Sequence, residues 1–566
     1  MGRIKKFFRE EGVYLGIIIL MLIAFFIPYA GKYLPMASEN HFHYARILSL
    51  AETLKIGVFP AKIRPMLMKG FGYGVGFFYP DFFSYFPAVL VILGMNVTGA
   101  MIVQVILAGV IGALMTYRAI DKLVEDKKIA TVITILYFGT LCMWNNLFDG
   151  FGIGAFIAQV FLPMAFCGLI RAIRDEKSGY IEYAIGIVIV VLSHHLTFIS
   201  MMVAMVMIVI LSVRKIADNP KILVKLFCVS IVGLLFTAQY WMPAIELAIH
   251  TKYKVIYDNY IDINDHILSF REVLSNITWL YVVIFVVAIV AFIFATLKNK
   301  MINKEGLVML ILSLVHIFLM RSQLFWRGPI GQFFAFFQST ERLIYVLMAL
   351  ILIFAAIAAK EFAGAISEIR GFGSGKAVVY IACCIALIIL TRCLIKTDFY
   401  NINSYTRDGS LTPELIVEDN GISCGEWLPI ENEPSECHGV ENAIADDGTS
   451  ADGFKHDNYR YFEAFVLLDK KYYDAPYIYY YGYRAYLIDD NGNPIEELKV
   501  GEAYDHNGYV RVFMPENRDG IGHMMVIYKK TLVQKLSYLI SLATTLFIVG
   551  IIIYRKGKFG KKEIEI

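Results

Sequence analysis

The feature that most constrains this chain is a succession of apolar segments, each long enough to cross a bilayer. They fall near 13–30, 97–117, 129–145, 153–170, 180–194, 196–213, 222–243, 277–297, 306–320, 342–359, 377–395 and 535–554. A helix crosses a hydrocarbon core of about 30 Å with roughly 20 apolar residues. Hydrophobic residues make up 58% of the 566, too many for a soluble domain to hide. The first segment follows the basic stretch MGRIKKFFREEG and starts like a secretion signal. It is long and lacks a small-residue cleavage site, so it reads as a retained span.

One further stretch, FFSYFPAVLVILG at 83–95, decides the topology. If it does not span, the short basic segments all fall on one side: Arg3 to Arg9, Arg118 to Lys128, Arg171 to Lys177, Arg214 to Lys225, Lys298 to Lys304, Lys360 to Lys376 and the tail from Arg555. Lys and Arg concentrate in cytoplasmic loops. The chain is therefore expected to be a mainly α, polytopic protein of the bacterial plasma membrane, with about 12 spans and both termini cytoplasmic. The 83–95 stretch becomes a short helix at the outer face, which Pro87 suits.

Two large pieces then face outward, 31–96 between the first two spans and 396–531 between the last two. The second has the alternating runs KYYDAPYIYYYGYRAYLI and YVRVFMP, with DDNGNP as a hairpin turn between them. It reads as a small β-rich module, followed at 532–566 by the last helix and a basic tail. Cys424 and Cys437 lie in this module, and a disulfide or two free thiols are both open. The eight cysteines contain no CxxC pair and no His/Cys ligand spacing, which argues against zinc. A net charge of +3 gives no field for nucleic acid.

The first outer loop holds most of the residues suited to chemistry. Glu39, His43, Arg46 and Ile47 share a face if the stretch is helical. Lys55, Lys62, Arg64 and Lys69 add a basic density unusual for a translocated segment. These cations suit either lipid headgroups or the phosphate of a substrate. His194 and His195 end an apolar segment at the outer face, where imidazoles need a partner or a wet cavity. Arg342 opens a span on the same side, with Arg321 and Arg327 in the preceding loop. Asp81 and Asp149 are further acceptor-binding candidates, although Asp149-Gly150 is also a turn signal. Asp262, Asp265 and His266 are the candidates for a divalent cation.

The order Glu39, His43, Arg46, Gly57-Val58-Phe59-Pro60, Gly72-Tyr73-Gly74, Tyr79-Pro80 and Tyr85-Phe86-Pro87 resembles the first loop of GT-C membrane glycosyltransferases, above all the bacterial YfhO-type branch. FIAQVFLPMAFCG at 156–168 resembles that family's fourth-span region. FFQSTERLIYV resembles its Gln-x-x-x-Arg segment at Gln338 and Arg342. CGEWLPI at 424–430 and the YYYGYRAY run resemble its outer domain. The chain departs from the pattern with Glu39 in place of Asp, with Gly150 and Ala155 near where an Arg and a Glu are usual, and with Ser-Thr-Glu before Arg342.

The resemblance implies an outward-facing site that takes a sugar from a polyprenyl-phosphate carrier and gives it to a cell-envelope acceptor, a teichoic or lipoteichoic acid or another surface polysaccharide or glycolipid. By analogy of position Glu39 is the general base. His43, Arg46, Arg64, His194, His195 and Arg342 would bind the donor phosphate. A transporter, a lipid flippase or an inactive envelope scaffold are the alternative readings. Transporters usually show repeated halves and helices broken near mid-membrane. No internal repeat is visible, and the charges gather at the outer edge.

Overall fold

The computed structural model describes residues 2–31, 39–148, 150–257, 262–367, 425–433, 435, 437 and 442–564. The chain forms two compact units that interleave in sequence. The first comprises Met1–Asn40, Thr98–Gly233 and Ile261–Arg407, and the second His41–Val97, Leu234–Tyr260 and Asp408–Ile566.

The first unit is helical. Its centre is the largely apolar helix Ile153–Ile173, in which every residue is buried, Gln159 and Arg171 included. The neighbouring helix Lys177–Val191 lies against it at glycines. A Cβ on Gly186 would come within 2.5 Å of the Ala165 Cβ, and one on Gly168 would strike the Tyr183 backbone nitrogen. Small residues let helix backbones approach closely where lipid offers no hydrophobic drive for association. At one end of this pair Arg171 bonds Glu176, Glu182 and Ser178 at 2.6–2.7 Å. Phe25 packs edge-on against Phe138 and Trp144, anchoring the first span.

Among the described residues, six helical segments are long and apolar enough to cross a membrane, or eight if two bent pairs each count once. These helices do not by themselves confirm the count of about twelve. The expected 180–194 and 196–213 spans are helices of 15 and 17 residues, about 22–26 Å long at 1.5 Å per residue. The helix Lys304–Arg321 is long enough but carries Lys304, Glu305 and Arg321. The expected span at 377–395 lies outside the described residues. The 83–95 stretch contains an eight-residue helix, Tyr85–Ile92, too short to span.

The second unit joins the first loop to the C-terminal module. Among the described residues of that module nine antiparallel strands form one sheet: β1 (Ala443–Ala445), β2 (Ser450–Ala451), β3 (Gly453–His456), β4 (Tyr461–Leu467), β5 (Tyr472–Ile478), β6 (Tyr483–Ile488), β7 (Pro494–Ala503), β8 (Tyr509–Phe513) and β9 (Ile521–Tyr528). Their order is β2-β1-β5-β8-β7-β6-β9-β4-β3. Asp489 makes the β6–β7 turn, its carboxylate accepting the Asn491 and Asn493 backbone N–H groups at 2.9 and 2.8 Å. The long tyrosine run does not form one strand, because the chain turns at Gly482, where φ is +126°. Cys437 is a buried free thiol, while Cys424 lies outside the described residues.

The first loop is tied to this sheet by main-chain and side-chain bonds. The Ile478 N–H donates to the Phe71 carbonyl at 3.0 Å, and Lys455 Nζ donates to the Gly70 carbonyl at 3.0 Å. The segment around Tyr253 pairs with Pro429, and Thr531 Oγ1 donates to Glu246 Oε2 at 2.7 Å, fixing the last helix to Ala238–His250.

Replacing Gly186 by valine overpacks the first unit, at a cost of about 1–3 kcal/mol. The expected result is a melting temperature in detergent several degrees lower, whereas Gly16→Ala, inside a helix with open space around it, does not lower the temperature.

Candidate active site

In the second unit the helix Asn40–Lys55 presents His43 and Arg46 one turn apart, both buried. Arg46 is the hub. Its Nε donates to Asp81 Oδ1 at 2.9 Å, and an Nη donates to the Pro80 carbonyl at 2.7 Å. The other Nη meets His43 Nδ1 at 3.3 Å. A guanidinium only donates, so Nδ1 is the acceptor and a neutral His43 carries its proton on Nε2. The guanidinium also lies 4.0 Å from the Tyr79 ring centre. Tyr79-Pro80-Asp81 therefore wraps one arginine from three directions.

Arg64 closes the same carboxylate from the other side. One of its Nη atoms bonds Asp81 Oδ2 and the other donates to the Ala61 carbonyl at 2.5 Å. Its backbone pairs with Tyr73, within the Gly-Tyr-Gly motif, through bonds of 2.8 and 3.1 Å. Arg64 is fully buried, and its Nε has no hydrogen-bond partner among the described residues. Burial alone would raise the Asp81 pKa, but Arg64 and Arg46 overcome it and hold the carboxyl below its usual range. The Lys62 ammonium is pushed down to about 8 by burial, which Asp81 opposes and Arg64 reinforces. Two guanidinium groups and an ammonium thus gather around one carboxylate, leaving positive charge in excess.

Aromatic rings close the cluster. Trp427, from the CGEWLPI motif, packs on Phe42 at 5.6 Å, Tyr79 at 5.7 Å and Tyr73 at 5.8 Å. The sequence reading gave Trp427 no part here. Its place in a quoted motif was the available signal.

In the first unit, Glu39 is exposed beside the Gly150–Gly152 turn. Its backbone N–H donates to the Gly150 carbonyl at 3.0 Å, and its Oε2 lies 3.7 Å from where a Gly152 Cβ would stand. Asn146 Oδ1 reaches the same point at 3.6 Å and accepts from the Tyr345 hydroxyl at 3.1 Å. The Asn146 Nδ2 is buried without a partner among the described residues. Asn146 and Tyr345 were not among the sequence candidates, although Tyr345 stands three residues after Arg342. Asp149 lies outside the described residues.

The remaining candidates divide by role. His194 caps the helix His195–Leu211, its Nδ1 accepting the Thr197 N–H at 3.3 Å. His195 is half-buried and close enough to half-buried Arg342 to feel its charge. Gln338 takes a positive φ of 62° immediately before the turn that carries Arg342. Arg321 and Arg327 are exposed, with the Arg321 guanidinium 5.5 Å from the Phe270 ring centre. Asp262 caps its own turn by accepting the Asn264 N–H at 2.9 Å. Among the described residues no three His, Cys, Asp or Glu side chains form a metal-holding group.

The apolar helices define the class, a multi-pass membrane protein. Residues 77–400 match the family described as 6-pyruvoyl-tetrahydropterin synthase related domain, membrane protein, and the chain belongs to that family. No curated protein matches the sequence significantly. Among solved structures, the apo oligosaccharyltransferase of Archaeoglobus fulgidus matches with TM-score 0.41 and 12% identity, over 70% of this chain and 56% of that one. The same organism's oligosaccharyltransferase AglB, in complex with an inhibitory peptide and a dolichol-phosphate, matches with TM-score 0.42 and 11% identity, over 71% and 57%. The chain thus spans a little over half the length of those structures.

Removing the Asp81 charge leaves two buried guanidinium groups opposed. Asp81→Asn is expected to destabilise the second unit by about 3–5 kcal/mol, read as a lower unfolding midpoint in detergent. Because the folded carboxyl titrates below its unfolded value, its stabilisation is present above pH ~4 and fades as pH falls further. The wild-type and Asp81→Asn stabilities should therefore converge toward strongly acid pH. Lys62 works in the opposite pH range. Its folded value near 8 lies below the unfolded one, so the unfolded chain holds more protons and stability rises above pH 8. Lys62→Met should remove that rise.

Proposed function

We propose that this chain is a membrane glycosyltransferase of the GT-C type, in the YfhO-like branch, acting at the outer face of a bacterial plasma membrane with both termini inside. It takes a sugar from a polyprenyl phosphate and transfers it to a hydroxyl of a cell-envelope polymer or glycolipid, a teichoic or lipoteichoic acid being the nearest fit. The observation that carries the reading is the buried surplus of cations around Asp81, in a loop whose motifs resemble the GT-C first loop.

The chemistry suits one carboxylate and several cations. Glu39 takes the proton of the acceptor hydroxyl, and that oxygen attacks the anomeric carbon. The bond from the anomeric carbon to the phosphate oxygen breaks, and its electron pair stays on the lipid phosphate. A phosphate leaves as a stable anion, so it needs positive neighbours and no proton donor. Attack opposite the leaving group inverts the anomeric configuration. His43, Arg46 and Arg64 act on the phosphate, and Asp81 fixes the two guanidinium groups.

Full-length protein in proteoliposomes, given a radiolabelled polyprenyl-phosphate sugar, tests this. Glu39→Gln should lower transfer by at least about 100-fold, the scale of general-base catalysis, while Glu39→Asp keeps part of it. Wild-type transfer by Glu39→Gln would remove the mechanism. Solute uptake without any transfer would mark the chain as a transporter instead.

A further inference from the structure

A separate cavity in the second unit, of about 350 Å³, lies between the Gly57–Pro60 turn and the base of the last helix. Five of its lining residues are basic: Lys62, Arg460, Lys529, Lys530 and Lys535. Among the described residues that line it none is acidic. At roughly 30 Å³ per water, the space equals about twelve waters, more than a single phosphate fills. Such a run of like charge around one concavity is unfavourable unless an anion shares it.

Two of the lysines bond to the protein itself. Lys530 Nζ bonds the Phe59 carbonyl, and Lys529 Nζ contacts the Tyr486 hydroxyl at 2.9 Å. The Lys530 ammonium is lowered from its ordinary value by burial, then by Arg460 and Lys535. Gln534 is fully buried in the lining, donates to the Tyr528 hydroxyl at 2.6 Å, and keeps an Oε1 with no partner among the described residues. That oxygen can accept from a ligand hydroxyl.

Position and apolar surroundings say what kind of anion. Lys529, Lys530 and Lys535 flank the start of the apolar stretch Leu532–Tyr554, a candidate span of 23 residues. They therefore stand at the membrane surface. Phe59, at the mouth, is 66% exposed and packs edge-on against Tyr85 at 5.6 Å. From Tyr85 the helix Tyr85–Ile92 continues with Phe86, Val89 and Ile92 exposed, and Leu93 beyond it. A water-borne phosphate would meet the cations but have no use for this apolar rim. An amphiphile uses both.

We propose that this cavity binds the phosphate-bearing headgroup of an anionic membrane amphiphile, with Lys530, Lys535 and Arg460 on the phosphate, Gln534 on a headgroup hydroxyl and the Phe59 rim against the acyl chains. The cavity shares Lys62 with the Asp81 cluster, but its other cations, Arg460, Lys529, Lys530 and Lys535, take no part in that cluster, and the proposal stands whether or not the chain transfers sugars.

The test uses full-length protein in nanodiscs of phosphatidylcholine containing a trace of fluorescent phosphatidylglycerol, with bound probe read by energy transfer from the protein. Lys530→Gln with Lys535→Gln should weaken phosphatidylglycerol enrichment by on the order of thirtyfold at low salt, from about fivefold per lost charge. Arg484→Gln with Arg518→Gln removes the same charge from exposed pairs outside the cavity and should leave enrichment unchanged. Equal losses in both double variants would reduce the effect to net charge and overturn the proposal. Full displacement of the lipid by millimolar inorganic phosphate or glycerol phosphate would overturn the amphiphile assignment. Retained enrichment in Lys530→Gln/Lys535→Gln would overturn the site.

Discussion

The second unit depends on one carboxylate shared by two guanidinium groups. Asp81 draws Arg46 from the helix Asn40–Lys55 and Arg64 from the following loop into one buried cluster. Without it, neither arginine could be taken out of water at acceptable cost. With it, a loop of few regular elements acquires a fixed backbone: Pro80 and Ala61 give their carbonyls to the same two arginines. The aromatic rings of Tyr79 and Trp427 then have something rigid to pack against. The glycosyltransferase reading uses this rigidity, because positive groups aimed at a departing phosphate help only when already in place.

Much of this was legible in the sequence, for reasons that differ by element. Bilayer-length apolar segments and hairpin signals such as DDNGNP rest on local chemistry and short-range geometry, so they could be read directly. Marginal spans could not. The helices at 180–194 and 196–213 have 15 and 17 residues, and a hydropathy trace does not show where such a helix begins and ends. Arg46 and Arg64 were visible in an unusually basic loop, yet their shared partner was not. Asp81 follows Tyr79-Pro80, seventeen residues after Arg64, and nothing local marks it as the residue on which they converge.

The cavity cations were missed for a related reason. Lys529 and Lys530 were counted as part of an outer module, although two lysines just outside a span on the outer face break the same charge rule that drew attention to the first loop. Sequence shows such an anomaly one segment at a time. The fold adds that Lys62, Arg460 and Lys535 line the same cavity.

The enclosed helix Ile153–Ile173 has a consequence for how the protein is made. Its sequence is apolar enough to enter a bilayer unaided, yet no residue of it remains exposed in the folded chain. Lipid must therefore be stripped from every side of it as its neighbours dock, making its enclosure a late event in assembly. Evolutionary drift along that stretch would be limited by the volume its neighbours leave, more than by preference for oil over water.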